Sequence, residues 1–364
     1  MKHLFLALAL FVSVTRGNAQ TAPSAPAQRP ALMARPKQGA APQTKANPKP
    51  TAAAGNPKAG RVKSTSRMKQ KISFQRVGLT LVGNLYTPAN FNEQGHYKAL
   101  IVEGSLTSVK EQMPATYAEK FADNGFVVLA FDFSHYGESQ GEPRQLEAPA
   151  EKLSDLQAAV SYLSSLPYVQ TVGMVGVCTS ASNAAYLAVA DKRVKAIATV
   201  AANLPSPAMM TAIFGEAEMT RRREAAAATA RTYQQTGQSA VVTAYSETDQ
   251  TAANVAPMPG LFDYYLNPKR GAIPEYKNEL AVMSWATFLD LDPISQAPAI
   301  TVPTMVVHSD YSAFPDQVKQ FYAALKGEKE LVWADGTHFD YYDNPVQINN
   351  AVQNITRYFN AHLN

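Results

Sequence analysis

Cys178 is the only cysteine in 364 residues. It lies in residues 172 to 183, VGMVGVCTSASN, where an apolar run gives way to small residues that can continue as a helix. Gly176, Cys178 and Ser180 carry the spacing of a sharp strand-to-helix corner that leaves its central side chain projecting. Cysteine suits such a corner because its reactive form is the thiolate, which the free N–H groups and positive dipole of a helix start favour. A small buried apolar residue is the plain alternative. Ser180 or Ser182 as nucleophile would shift the motif off Gly176.

A thiolate nucleophile needs an imidazole to share its proton and later protonate the leaving group. His338, in ADGTHFDYYDNP, lies between the last strand-like run and the last helix-like run. The other histidines are less well placed: His3 and His362 lie near the ends, His96 in an early polar loop, and His135 and His308 beside strand-like runs. The imidazole in turn needs a carboxylate to fix its tautomer. Asp310, in VVHSDYSAFPD, is the natural choice. Asp316 and Asp340 are rivals; the first is placed to cap the next helix, and the second, two residues past His338, would point away. The negative oxygen formed on attack would be held by the backbone N–H of Thr179 and by that of Ser105 or Leu106, in a loop that Gly104 lets come close.

The elements that must position these groups are legible from periodicity. Residues 71 to 88 alternate apolar and polar positions around Gly78, as two antiparallel strands do. Short apolar runs at 99–103, 126–131, 172–177, 194–200, 302–307 and 329–333 have the length of strands buried on both faces. Helical stripes fall between them: Tyr117 and Phe121 before Gly125; Leu153, Leu156, Val160 and Leu163; Val318, Phe321, Tyr322 and Leu325. A last helix opens at Asn344 and Pro345 and buries Val352, Ile355 and Phe359. Alternating strands and helices predict an α/β fold, a mostly parallel central sheet with helices on both faces. The alternation stops over about 204–291, a helical lid insertion that is Ala-rich around 216–235.

The start of the chain reads differently. Residues 1–19, with Lys2 and His3, an apolar run from Leu4 to Val14 and the triplet Gly17, Asn18, Ala19, read as a secretory signal peptide. That run is too short for the ~20 residues of a membrane-spanning helix. Residues 20–70 are a Pro, Ala and Lys-rich stretch with few large apolar side chains, read as a disordered linker. No Asp or Glu precedes Glu93, while residues 1–92 hold fourteen Lys and Arg, so the formal net charge of +4 combines a basic tail with an acidic remainder. The expectation is a periplasmic or secreted protein with no nucleic-acid partner, whose tail makes at most a weak envelope contact. The folded domain is expected over 71–364.

With these residues in view, 71–364 resembles the α/β-hydrolase superfamily. Residues 125–141, GFVVLAFDFSHYGESQG, look like its fourth-strand motif, and the segment with Cys178 is similar to dienelactone hydrolase-like enzymes that carry Cys at the nucleophile corner. The resemblance implies an α/β-hydrolase fold with a small-molecule acyl substrate: ester, lactone or thioester hydrolysis through a covalent acyl-enzyme. It also implies no metal and no organic cofactor, and the chain order Cys178, Asp310, His338 for nucleophile, acid and base. Two departures stand out, Ser180 in place of the second glycine and Glu103 where many members have His. Two rival readings remain. One is a non-catalytic binder of the same fold tethered to the envelope, and the other a peptidase or acyltransferase. The lid aromatics Phe214, Phe262, Tyr264, Tyr265, Trp285 and Phe288 could line an apolar pocket or simply pack.

Overall fold

The Val- and Ile-rich runs form strands because β-branched side chains suit a pleated, covered surface. In the computed structural model, which describes residues 68–364, they build one eight-stranded sheet. Its strands are β1 (Met68–Arg76), β2 (Leu79–Thr87), β3 (Tyr97–Glu103), β4 (Val127–Phe131), β5 (Val169–Val177), β6 (Val194–Val200), β7 (Thr304–His308) and β8 (Lys329–Trp333). The spatial order is β1-β2-β4-β3-β5-β6-β7-β8. β1 and β2 pair antiparallel, as does β2 with β4, and every pair from β4 to β8 is parallel. The signal peptide and nearly all of the linker fall outside the described residues. β1 begins at Met68, inside the stretch read as linker.

Helices cover both faces. Tyr117 and Phe121 of α1 (Met113–Asp123) and Ile355 and Phe359 of α7 (Pro345–His362) pack on one side, together with the lid. Leu156 and Val160 of α2 (Pro149–Ser165), the alanines of α3 (Ser180–Ala190), and Val318 and Phe321 of α6 (Pro315–Ala324) pack on the other. Each Val, Leu or Phe so buried contributes roughly 1.5–3 kcal/mol. Small side chains at Ala181, Ala184, Ala185 and Ala188 let α3 lie close against the sheet. Asn344 caps α7 by accepting from the Val346 N–H at 3.0 Å, with Pro345 in the first turn.

The lid carries α4 (Pro207–Phe214), α5 (Glu216–Thr236) and two short strand pairs, Val241–Thr243 with Glu279–Ala281 and Tyr245–Ser246 with Asn254–Val255. The Arg222 guanidinium lies 4.1 Å from the Phe214 ring and 4.2 Å from Trp285, and bonds Glu218 at 2.8 Å. The lid is fastened to the loop after β3. Thr107 Oγ1 is 3.2 Å from the Tyr276 hydroxyl, the Tyr245 hydroxyl donates to the Leu106 carbonyl at 3.3 Å, and the Met113 N–H donates to the Tyr264 hydroxyl at 3.2 Å. Among the described residues no helix is long and apolar enough to cross a membrane.

The register brings Glu103 beside Gly176 and Val177 beside Val200. β5 thus delivers its next residue, Cys178, to the carboxyl edge of the sheet, where the chain departs in opposite directions from β3 and β5. Crevices at such a switch point are where open α/β sheets bind ligands.

Candidate active site

Cys178 occupies the left-handed region, with φ +56°, a conformation that costs a non-glycine residue of order 1–3 kcal/mol and persists only where the surroundings impose it. They do so here. The Cys178 N–H donates to the Val200 carbonyl at 3.0 Å, and its carbonyl accepts from the Ala181 and Asn203 N–H groups, each at 3.0 Å. A Cβ on Gly176 would lie 2.1 Å from the Ser180 carbonyl oxygen, so the crowding of this corner requires glycine there. Ser180 fits because its side chain turns to Asn183, while its N–H donates to the Gly104 carbonyl at 3.2 Å and so ties the corner to the loop after β3.

His338 arrives from the loop after β8, and its Nε2 lies 3.4 Å from the Cys178 sulfur and 3.0 Å from the Tyr342 hydroxyl. The Thr179 and Leu106 N–H groups both act on the sulfur as hydrogen-bond donors. Of the two amides expected from the loop after β3, Leu106 is the one that faces the thiol. Ser105 is buried with its hydroxyl 3.9 Å from the Met113 sulfur.

Asp310 does not join them. Its side chain is 61% exposed and lies 3.6 Å from Lys319 Nζ. The atom expected to meet it, His338 Nδ1, instead accepts a hydrogen bond from the Ala313 N–H at 3.2 Å. The turn after β7 explains the difference. The Ser309 hydroxyl donates to the Gly336 carbonyl at 2.6 Å and lies 3.0 Å from the Ser312 hydroxyl, which draws the turn's backbone toward the histidine loop and leaves the carboxylate outside. The rivals are elsewhere too: Asp340 accepts from the Thr337 N–H and hydroxyl, both at 2.7 Å, and Asp316 is exposed near Lys319.

The Ala313 contact fixes the tautomer. A backbone N–H only donates, so Nδ1 presents its lone pair and the single proton of the neutral ring sits on Nε2, facing Cys178 and Tyr342. The ring is neutral at physiological pH because burial lowers its pKa to about 4. Burial also raises the Cys178 thiol, against hydrogen bonds from Tyr342, Thr179 and Leu106 that pull it down. The expectation that the helix start would favour the thiolate is therefore reversed: desolvation outweighs the donors, and no imidazolium is present to help.

A cavity of about 20 Å³ adjoins the thiol, lined by Leu106, Asn203, Tyr245, Asn254, Tyr265 and Tyr342 among others. A larger pocket of about 400 Å³ opens outward between Met258, Leu261, Arg270 and Tyr311. Ala313, His338 and Phe339 line both. Of the lid aromatics singled out in the sequence, Tyr265 reaches the inner cavity; Phe262, Tyr264, Trp285 and Phe288 pack within the core. Tyr342 escaped the sequence reading; it lies four residues after His338, on the helical turn Asp340–Asp343 that follows the histidine's own turn. Asn203, Asn254 and Tyr245 carry no local signal, since only the tertiary fold brings them to the thiol. Among the described residues no group of three His, Cys, Asp or Glu side chains could hold a metal ion.

Comparison with known proteins agrees with this architecture. The sequence model of the alpha/beta hydrolase fold family matches residues 100–345. The uncharacterized protein YcjY of Escherichia coli is 29% identical over 315 residues, 81% of this chain and 100% of its own length. The uncharacterized protein PA2218 of Pseudomonas aeruginosa is 30% identical over 315 residues, 81% of each chain. Its crystal structure matches with a TM-score of 0.71 and 27% identity, over 82% of this chain and 95% of that one. The thiohydrolase aneE of Aspergillus aculeatus is 29% identical over 268 residues, 70% of this chain and 80% of its own. A parallel sheet with a strained corner at its carboxyl edge, matched over most of its length by this family, makes the chain a member of the α/β-hydrolase family and a hydrolase.

Proposed function

We propose that this hydrolase cleaves a small acyl thioester or ester through an acyl-cysteine intermediate on Cys178. The sulfur attacks the acyl carbon, the new S–C bond replaces the bond to the leaving thiol or alcohol, and water then releases the acid. Thr179 and Leu106 N–H groups receive the carbonyl oxygen, and His338 holds the sulfur through Nε2. The observation that carries the reading is the 3.4 Å approach of His338 Nε2 to a cysteine held at φ +56°. The relation to a thiohydrolase favours a thioester. Hydrolysis of a short acyl thioester, with acid quenching and mass spectrometry, tests it. The wild type should carry the acyl mass on Cys178, and Cys178→Ala should neither carry it nor turn over. Full turnover by that variant would overturn the assignment.

A second reading, a ligand-binding protein of the same fold, is favoured by the raised thiol and the outer pocket of about 400 Å³. It requires that no acyl group ever reach the sulfur, so the same trapping experiment separates the two. Export to the periplasm or medium, with the basic tail in weak contact with the envelope, completes the proposal and rests on the composition of residues 1–92.

A further inference from the structure

The groups around the Cys178 sulfur are mostly donors, the Thr179 hydroxyl, 3.7 Å away, being able to donate or accept. Two are the backbone N–H groups of Thr179 and Leu106. His338, whose Nδ1 is taken by the Ala313 N–H, carries its one proton on Nε2, which lies 3.4 Å from the sulfur but only 3.0 Å from the Tyr342 oxygen, the nearer acceptor. Were His338 to take up a second proton, Nδ1–H would face the Ala313 N–H across 3.2 Å, donor against donor. The imidazolium that usually stands beside a reactive thiolate is disfavoured here by geometry.

Tyr342 completes the set. Its oxygen lies 3.0 Å from His338 Nε2 and accepts from the Tyr265 hydroxyl at 3.4 Å. With donors from His338 and Tyr265 on its two lone pairs, the phenol has its own proton left to give. The sulfur lines the same small cavity and lies 3.4 Å from the Nε2 that the Tyr342 oxygen meets at 3.0 Å. Tyr342 is fully buried and keeps its proton, because burial holds its pKa well above the ordinary phenol value. The titratable groups facing the sulfur are His338 and Tyr342 from the carboxyl-terminal loop and Tyr245 and Tyr265 from the lid, and none is a carboxylate or a fixed cation.

We propose that Tyr342 is a further catalytic residue, a neutral phenol whose O–H stabilises the Cys178 thiolate in the place an imidazolium would otherwise take. The proton leaves the thiol for solvent. The attacking thiolate is then held by neutral donors; its charge passes to the carbonyl oxygen as the S–C bond forms, and to the leaving thiolate or alkoxide as the acyl carbon's bond to it breaks, that group taking its proton from solvent. This rests on Cys178 being the nucleophile.

The test follows ionisation of Cys178 by thiolate absorbance and by the rate of iodoacetamide alkylation across pH 6–11. Wild type, Tyr342→Phe and Cys178→Ala are compared, with thioester turnover measured alongside. Phenylalanine keeps the ring and its packing. Tyr342→Phe should move the ionisation midpoint upward and lower kcat/KM near neutrality by roughly tenfold to a hundredfold, as loss of a hydrogen bond to a charged group does. The loss should fall on kcat and narrow at high pH. An unchanged midpoint and pH profile, whether or not the melting temperature falls, would show that Tyr342 merely packs and would overturn the proposal. Turnover that survives Cys178→Ala would instead bring down the acyl-cysteine reading beneath it.

Discussion

The Ala313 N–H donates to His338 Nδ1 at 3.2 Å, on the face of the ring where a carboxylate would orient a catalytic base. Its consequence is functional. A carboxylate at Nδ1 would leave Nε2 bare to accept a thiol proton, whereas an amide N–H there leaves Nε2 as a donor. An Nε2 that already carries the ring's proton cannot take one from the thiol.

Asp310 should therefore be dispensable. Its carboxylate is exposed and paired with Lys319, an interaction of a kind worth roughly 0–1 kcal/mol. Asp310→Asn should leave kcat/KM for a thioester within about twofold and the melting temperature nearly unchanged. A loss near the ~10⁴-fold that follows removal of an orienting carboxylate would mean that the working enzyme uses a different turn after β7.

The pH profile should differ from that of an imidazolium–thiolate pair. His338 titrates at about 4 and the thiol above its usual range, both through burial. Activity should thus climb with pH from 6 through 9 as thiolate accumulates, with no acid limb near the ordinary histidine value of about 6.5. A flat plateau between pH 6 and 8 in kcat/KM would contradict this.

How far the sequence reached is clear from individual residues. Cys178 and its corner were legible because the steric demand is local: Gly176 avoids a 2.1 Å clash with the carbonyl oxygen of Ser180, four residues on. The parallel sheet was legible because strands covered on both faces must be continuously apolar. The partner of His338 was not, because a backbone amide has no side-chain identity. Asp310 holds the expected place in the chain, and only the Ser309 and Ser312 hydrogen bonds turn it outward. The sign of the thiol's shift was also hidden, since it depends on how completely the lid closes over the sulfur.

Acid should destabilise the fold through its buried histidines. The folded-state pKa of His338 is lowered to about 4 and that of His308 to about 3, both chiefly by burial, against about 6.5 when unfolded. The unfolded chain binds more protons in between, so their stabilisation is full above pH 6.5 and drains as pH falls toward 4, by on the order of 3 kcal/mol for His338 alone. His308, buried beside Trp333 with ring centroids 5.3 Å apart, also interacts with His338 and the Ala313 backbone, so its replacement is read by stability alone. His308→Met should narrow the gap between urea midpoints at pH 7 and pH 4.5 relative to wild type. An identical gap would show that this ring does not titrate in that window.

The loop that offers Leu106 to the sulfur is anchored by a buried charge cluster, and the anchor can be cut. Asp132 accepts from the Lys110 N–H at 2.9 Å, from Lys110 Nζ at 2.7 Å and from the Glu138 N–H at 2.9 Å. Lys110 and Asp132 are almost wholly buried. Asp132→Ala removes three hydrogen bonds and leaves an ammonium inside with only Glu111 and Glu138 for company. Breaking a buried pair in this way costs about 3–5 kcal/mol. Asp132→Asn keeps the shape and one acceptor oxygen, so its cost should be smaller. If the cluster also holds the loop after β3, the folded fraction of Asp132→Asn should show a lower kcat and a slower alkylation of Cys178 near neutrality, because the Leu106 amide of that loop also donates to the sulfur. A variant that loses stability while keeping full kcat would confine the cluster to holding the fold.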